Sequence, residues 1–348
     1  MSVIGSNVLA GASGSGGGLQ GALAVGTSNT PSVHAYEWDS GFGSKYSNPS
    51  AMPTGGARGV AFSPNGEYLA FGHGNTPFIS VYPWSNDGFG TRFSNASPIH
   101  DGTKYGVAWH PDGDVVAFAT GGSDKIIAYP WSSSGFGTKY SQPSSAPSGS
   151  TNLGIAFSPD GNQIVTAHVG SPYVTAYPWS NGFGTKYSNP STLPTATGYS
   201  VSFHPDGDVL AVGHASSPFI TVYAWSSSGF GSKYSNPSTL PTSHGVEVRF
   251  NPDGDVIAVA EGTHISPHVK AYVWNNGFGS KYSDPSTPPT SDANSVAWSP
   301  DGNDIVIAHD QSPYVTAYPW SNGFGTKYSN PSTLVGSNAE SVAFNPAA

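Results

Sequence analysis

Residues 106–141, "GVAWHPDGDVVAFATGGSDKIIAYPWSSSGFGTKYS", alternate short apolar runs with clusters of Gly, Pro, Asp and Ser. Each run has strand length and is rich in β-branched and aromatic residues, so strands separated by tight turns are predicted. "GVAWHP" reads as a first strand, A, and its Pro-Asp-Gly turn combines a fixed φ, a carboxylate able to bond nearby backbone and a residue tolerant of positive φ. "DVVAFAT" is then strand B and "KIIAYPW" strand C. "SSSGFG" bends the chain into an outer strand D, "TKYSQ", and a Ser/Pro/Thr-rich loop leads on to the next unit.

The unit recurs. Trp38, Trp84, Trp131, Trp179, Trp225, Trp274 and Trp320 are separated by 46, 47, 48, 46, 49 and 46 residues. From the strand-A aromatic to the strand-C Trp the distance is 22 residues in five of six complete units, so the first three strands form the rigid part. A period near 47 built from four short strands predicts a propeller blade rather than a solenoid turn. Counting strands then gives a closure: "GALAVGTSNTPSVHAYEWDSGFGSKYS" supplies B, C and D without an A, and the C-terminal "SVAFN" supplies an A without partners. An all-β, seven-bladed propeller of four-stranded blades is expected over residues 19–348. Pairing of the C-terminal strand with the N-terminal blade would remove two open sheet edges.

The phrases "VAFSPNG", "LAFGHG" and "VYPW" resemble WD40-like and YVTN-like propellers over essentially this whole body. Only Glu37-Trp38-Asp39 carries the Trp-Asp pair, and the Gly-His usual before strand A is absent. The segment "IGSNVLAGASGSGGG" within residues 1–18 is similar to the N-termini of tailed-bacteriophage virion proteins, tail fibres included. That resemblance implies an anchoring segment that joins other virion proteins, with several copies on each particle. A Gly/Ser tail frays unless something holds it, which fits a docking role.

Composition narrows the partners. The net charge is −9 with twelve basic residues, which argues against a nucleic-acid footprint. No run is apolar enough for a signal peptide or a membrane span, so no membrane insertion is expected. Cysteine is absent, which removes disulfides, thiolate nucleophiles and Cys-based zinc sites. Charged residues are only 9% of the chain, against 45 Gly and 30 Pro, so solubility rests on uncharged polar groups.

Candidate chemistry is sparse. Lys45, Arg92, Lys139, Lys186, Lys233, Lys281 and Lys327 follow GFG in every blade, and with the turn aspartates they are expected to alternate charge around one face. The "YSNP" and "STLPT" stretches, with Tyr187 and Tyr328 inside a 23-residue identity between residues 171–193 and 312–334, are expected on an exposed surface able to meet a repeated host-surface glycan or receptor. Ordinary loop packing is the alternative for them. Strand B ends in Thr27, His73, Thr120, His168, His214, Glu261 and His309. These histidines come from different blades, so capping hydrogen bonds are expected rather than a metal array.

Blade six departs from the repeat. Arg249 and Glu247 stand where other blades carry Ala or Ser and Gly or Ser, and a B–C turn two residues longer adds His264 and His268 beside Glu261. One reading is an asymmetric ligand site near the axis, with Arg249 clamping an anion or carboxylate and Glu261, His264 and His268 as polar or metal-binding contacts. The other is a Glu247–Arg249 ion pair plus a tolerated insertion. Neither GxSxG nor HExxH occurs, and no catalytic residue, metal or cofactor is assigned. The expectation is a non-enzymatic phage virion protein for host attachment, assembled in the host cytoplasm, with a purely structural head or tail part as its alternative.

Overall fold

The computed structural model describes residues 19–347 except His264, and they form a ring of seven antiparallel sheets. No helix occurs among them. In blade 2, for example, strand A (Ala57–Phe62) lies innermost, followed outward by Tyr68–His73, Ile79–Ser85 and Gly88–Phe89. Five blades have all four strands; in blades 4 and 7 the outermost one shrinks to a single bridge, Trp179 with Phe183 and Trp320 with Phe324. These two blades carry the identical 23-residue stretch, so identical sequence has produced the same shortened edge. The anchoring segment assigned to residues 1–18 lies outside the described residues.

The split blade closes as expected. Ala339–Phe344 pairs antiparallel with Ala22–Thr27, which pairs with Val33–Trp38 and then Phe42–Lys45. Asn345 adds to the seam, its backbone N–H donating to the Ala22 carbonyl and its Nδ2 to the Gly66 carbonyl of blade 2. In the A–B turns a glycine at φ between +71° and +76° (Gly66, Gly113, Gly161, Gly207, Gly254, Gly302) supplies the left-handed residue that Pro-Asp-Gly and Pro-Asn-Gly predict.

The core lies between blades, and the repeated tryptophans organise it. Each strand-C Trp meets the strand-A aromatic and the outer Phe of its own blade edge-on, together with a ring from the segment that follows the outer strand or bridge of the preceding blade. Around Trp84 these are Phe62, Phe89 and Tyr46, with centroids 5.0–5.3 Å away. Around Trp38 they are Phe344, Phe42 and, across the closing seam, Tyr328. The constant 22-residue spacing is therefore the spacing of an aromatic box. Strand C also carries a fully buried Tyr in every blade. In five of them its hydroxyl donates to a carbonyl of the loop entering that blade, as Tyr36 does to Thr333 at 2.8 Å and Tyr82 to Ala51 at 2.6 Å.

The GFG-following lysines do not alternate with the turn aspartates. Lys186, Lys233 and Lys327 reach the Asn three residues on, at 2.5–2.6 Å, and Lys281 reaches Asp284, so these cations staple the SNP and SDP loops. Asp160 and Asp301 instead take bonds from Ser158 and Asn162, and from Ser299 and Asn303, inside their own turns.

Candidate functional site in the axial cavity

Strand A begins with the same irregularity in every blade. Ala57 faces His73 and Gly59 faces Gly72, so Arg58 is an extra residue, and corresponding register shifts single out Tyr105, Leu153, Tyr199, Val246, Asn294 and Glu340. A bulge re-aims its extra side chain. All seven line one cavity of about 230 Å³ on the ring axis. In blade 2 the next residue must be glycine, because a Cβ on Gly59 would lie 2.3 Å from the Tyr105 carbonyl oxygen. Where blades 5 and 7 carry Ser there, its hydroxyl accepts the next blade's backbone N–H, Ser200 from Val248 at 3.0 Å and Ser295 from Val342 at 3.2 Å.

Two ion pairs lie in this cavity. Arg249 grips Glu247 through two donors, Nε at 3.0 Å and Nη2 at 2.7 Å, both on Oε1. The other carboxylate oxygen accepts the Val296 N–H at 3.0 Å, so Glu247 takes over the role serine has in blades 5 and 7. The second pair is looser. Arg58 Nη1 stands 3.6 Å from Glu340 Oε2, and the guanidinium lies over the Tyr105 ring at 5.6 Å. Burial, with a lesser push from Asp310, raises the Glu340 carboxyl above the usual range despite Arg58. Asn294 is fixed beside it, Nδ2 donating to Asp310 at 2.7 Å and to the Ala339 carbonyl at 3.0 Å.

The structure thus brings Glu247 and Arg249 together at the axis but leaves the rest of the blade-six cluster elsewhere. Glu261 is fully buried, away from the cavity lining, 2.6 Å from Lys270 Nζ, and it accepts from the Thr242 and Ser243 backbones. Lys270 sits where blades 2, 4, 5 and 7 have the Ser or Thr that meets the strand-B histidine, so this pair replaces a His–Ser or His–Thr pair within the blade. His268 is buried on the B–C turn, its carbonyl accepting the Glu261 N–H at 2.8 Å. His264 lies outside the described residues. Among those residues, no group of three His, Asp or Glu side chains is placed to hold a metal ion.

The strand-B histidines bond mainly within their own blades. His73 meets Ser80 at 3.1 Å, while His168, His214 and His309 meet Thr175, Thr221 and Thr316 at 2.9 Å. Only His214 and His309 also reach the preceding loop, through Thr195 and Thr290.

Tyr187 and Tyr328 are not free surface rings. Each leans edge-on against the next blade's tryptophan, Trp225 at 6.1 Å and Trp38 at 6.0 Å. Their hydroxyls donate to the Ser227 carbonyl and to buried Asp304, which also accepts from Trp38 Nε1 at 2.9 Å. Tyr328→Ala should therefore cost about 2–4 kcal/mol by opening the aromatic box and removing a donor from a buried carboxylate. Tyr187→Ala should cost less, and the double variant should be additive because the sites share no partner. Urea midpoints decide this; a Tyr328→Ala midpoint equal to the parent's would remove the seam role.

Sequence reasoning found Glu247 and Arg249 and missed Arg58, Glu340, Tyr105, Tyr199 and Asn294. One signal was present. The second residue of strand A is Arg, Tyr, Leu, Tyr, Val, Asn or Glu in a repeat that is otherwise near-uniform there.

Fold and repeat together define a WD40-like seven-bladed β-propeller. A family model described as WD domain, G-beta repeat matches residues 97–128, the inner strands of blade 3 with their flanks. None of the curated proteins matches the sequence significantly. Among solved structures, the chain is similar to a putative 6-phosphogluconolactonase from Bacteroides uniformis at 13% identity and TM-score 0.72, covering 93% of this chain and 99% of that one. It is also similar to a periplasmic gluconolactonase from Pseudomonas aeruginosa, at 14% identity and TM-score 0.70, covering 93% and 98%. A putative 6-phosphogluconolactonase from Bacteroides fragilis matches at 10% and 0.67.

These findings correct two expectations. The reading as a phage attachment or structural virion protein does not stand, because the full-length likenesses are to lactonase propellers. The reading as a non-enzyme falls with it. It rested on familiar motifs, and an axial site assembled from seven separate strands has no linear motif to find. At 10–14% identity the likeness itself establishes the fold.

Proposed function

We propose that the axial cavity is the active site of a lactone hydrolase acting on a small sugar-derived lactone. The observation that carries this is the Arg58–Glu340 pair: a carboxyl made more basic by burial, beside a guanidinium with most of its donors uncommitted, in a cavity suited to one small molecule. The fold it shares with a putative 6-phosphogluconolactonase and a periplasmic gluconolactonase agrees.

In this reading Glu340 takes a proton from a water whose oxygen attacks the lactone carbonyl carbon. Arg58 donates to the oxyanion that forms, which is where a positioned cation stabilises most. Collapse breaks the bond from the carbonyl carbon to the ring oxygen. Glu340 returns the proton to that oxygen, and the product is the open hydroxy acid. Arg249 is held more tightly than Arg58, with Nε and Nη2 both committed to Glu247 Oε1.

The test is acceleration of D-glucono-1,5-lactone hydrolysis over the uncatalysed rate, followed by proton release. Glu340→Gln should lower kcat at least about 100-fold while melting as the parent does. Activity should rise with pH through a limb above the ordinary carboxyl range, because the base acts deprotonated and its carboxyl is shifted up. Full activity in a folded Glu340→Gln variant would end this assignment.

A further inference from the structure

Resting on that reading, we infer that the cavity takes an uncharged sugar lactone and rejects the 6-phosphorylated one. The formal charges of the lining cancel: Arg58 and Arg249 against Glu247 and Glu340, with no lysine among the lining residues. Binding a phosphate dianion calls for a free guanidinium fork, an ammonium or a helix N-terminus. Arg249 gives Nε and Nη2 to Glu247 Oε1, and the Val296 N–H holds that carboxylate in place, so a phosphate on the remaining Arg249 donors would lie against a fixed negative charge. Among the described residues there is no helix.

Arg58 has donors to spare, but its neighbour forbids a dianion. A phosphate on Arg58 would sit next to Glu340 Oε2, itself 3.6 Å from Nη1, and Asp310 already adds negative potential there. Like charges at that range repel strongly in a partly desolvated site. Occupation would also hold the carboxyl protonated and remove the base. What the walls add instead are two uncharged tyrosine rings, Tyr105 and Tyr199.

The experiment compares D-glucono-1,5-lactone with its 6-phosphate on the full chain, both corrected for spontaneous opening. Alongside, calorimetry compares 1,5-anhydroglucitol with its 6-phosphate, which needs no turnover. A preference of at least about 100-fold in kcat/KM for the uncharged lactone is expected, with binding of the uncharged analogue alone. Equal or faster hydrolysis of the phosphorylated lactone, or equal or tighter binding of the phosphorylated analogue, overturns the inference. If neither lactone is accelerated but only the uncharged analogue binds, the hydrolase reading fails and the charge selectivity stands. If neither analogue binds and neither lactone is turned over, both fall. Glu247→Gln, which removes the negative charge beside Arg249, should narrow the selectivity at least tenfold; a folded variant with parental selectivity would show that paired charge is not its cause.

Discussion

A chain lacking residues 339–348 should fail to accumulate as soluble monomer and should show no cooperative melt near the parental temperature. The deletion removes the inner strand of blade 1 and leaves one edge of Ala22–Thr27 without its ladder. Burying Val342 and Phe344 is worth roughly 1.5–3 kcal/mol each. Trp38 loses the Phe344 face of its box, and the cluster joining Leu23, Val25, Ala297 and Val306 opens to water. Asn345, which ties Ala22 to Gly66, goes as well. Two point variants calibrate the result. Phe344→Ala should lower the melt while leaving it cooperative, and Glu340→Gln should leave it nearly parental, since Glu340 faces the cavity. A truncated chain that stays monomeric and melts as the parent would show that blades 2 to 7 hold without closure.

Seven tryptophans at a steady spacing made the ring legible, because an aromatic box demands the same side chain at the same place in each blade. Closure was legible by counting strands: an orphan A and an orphan B–C–D admit one pairing. The axial site was legible only where it broke the repeat loudly, at Glu247 and Arg249. Arg58 and Glu340 were hidden by bulges, since strict alternation assigns a strand's second residue to one face and an inserted residue changes that face. Glu261 looked like a neighbour of Arg249 through its blade alone. In space it belongs to the buried strand-B and strand-C pairs, where Lys270 is its partner. Tyr187 and Tyr328 follow the outer bridges of blades 4 and 7, yet the neighbouring blade covers them, a contact that no single repeat contains.

The buried histidines set the acid limit of the fold. His34, His73, His168, His214 and His309 are at most 2% exposed. Burial is the leading cause that brings each from 6.5 down to about 4. The unfolded chain therefore binds protons from about pH 6.5 downward while the folded chain resists until about pH 4. Stability is whole above pH 6.5 and is lost as the pH falls through that window, by about 3 kcal/mol per histidine once all are protonated. Five such losses exceed about 10 kcal/mol together, comparable with the net stability of a folded domain. Glu340 works in the opposite sense, since its raised carboxyl favours the fold as it takes a proton, but it is one group against five. The urea midpoint should fall steeply between pH 7.5 and pH 5, with unfolding in plain buffer before pH 4. Blade 3 supplies the control, because it has Thr120 and Ile127 where blade 5 has His214 and Thr221. A chain carrying His214→Thr and Thr221→Ile should lose one histidine's share of the pH slope, leaving its midpoint closer to the parent's at pH 5 than at pH 7.5. A parental midpoint unchanged from pH 7.5 to pH 4.5 would show that these rings titrate alike in the folded and unfolded chain, and the acid limit would then have to come from the carboxylates.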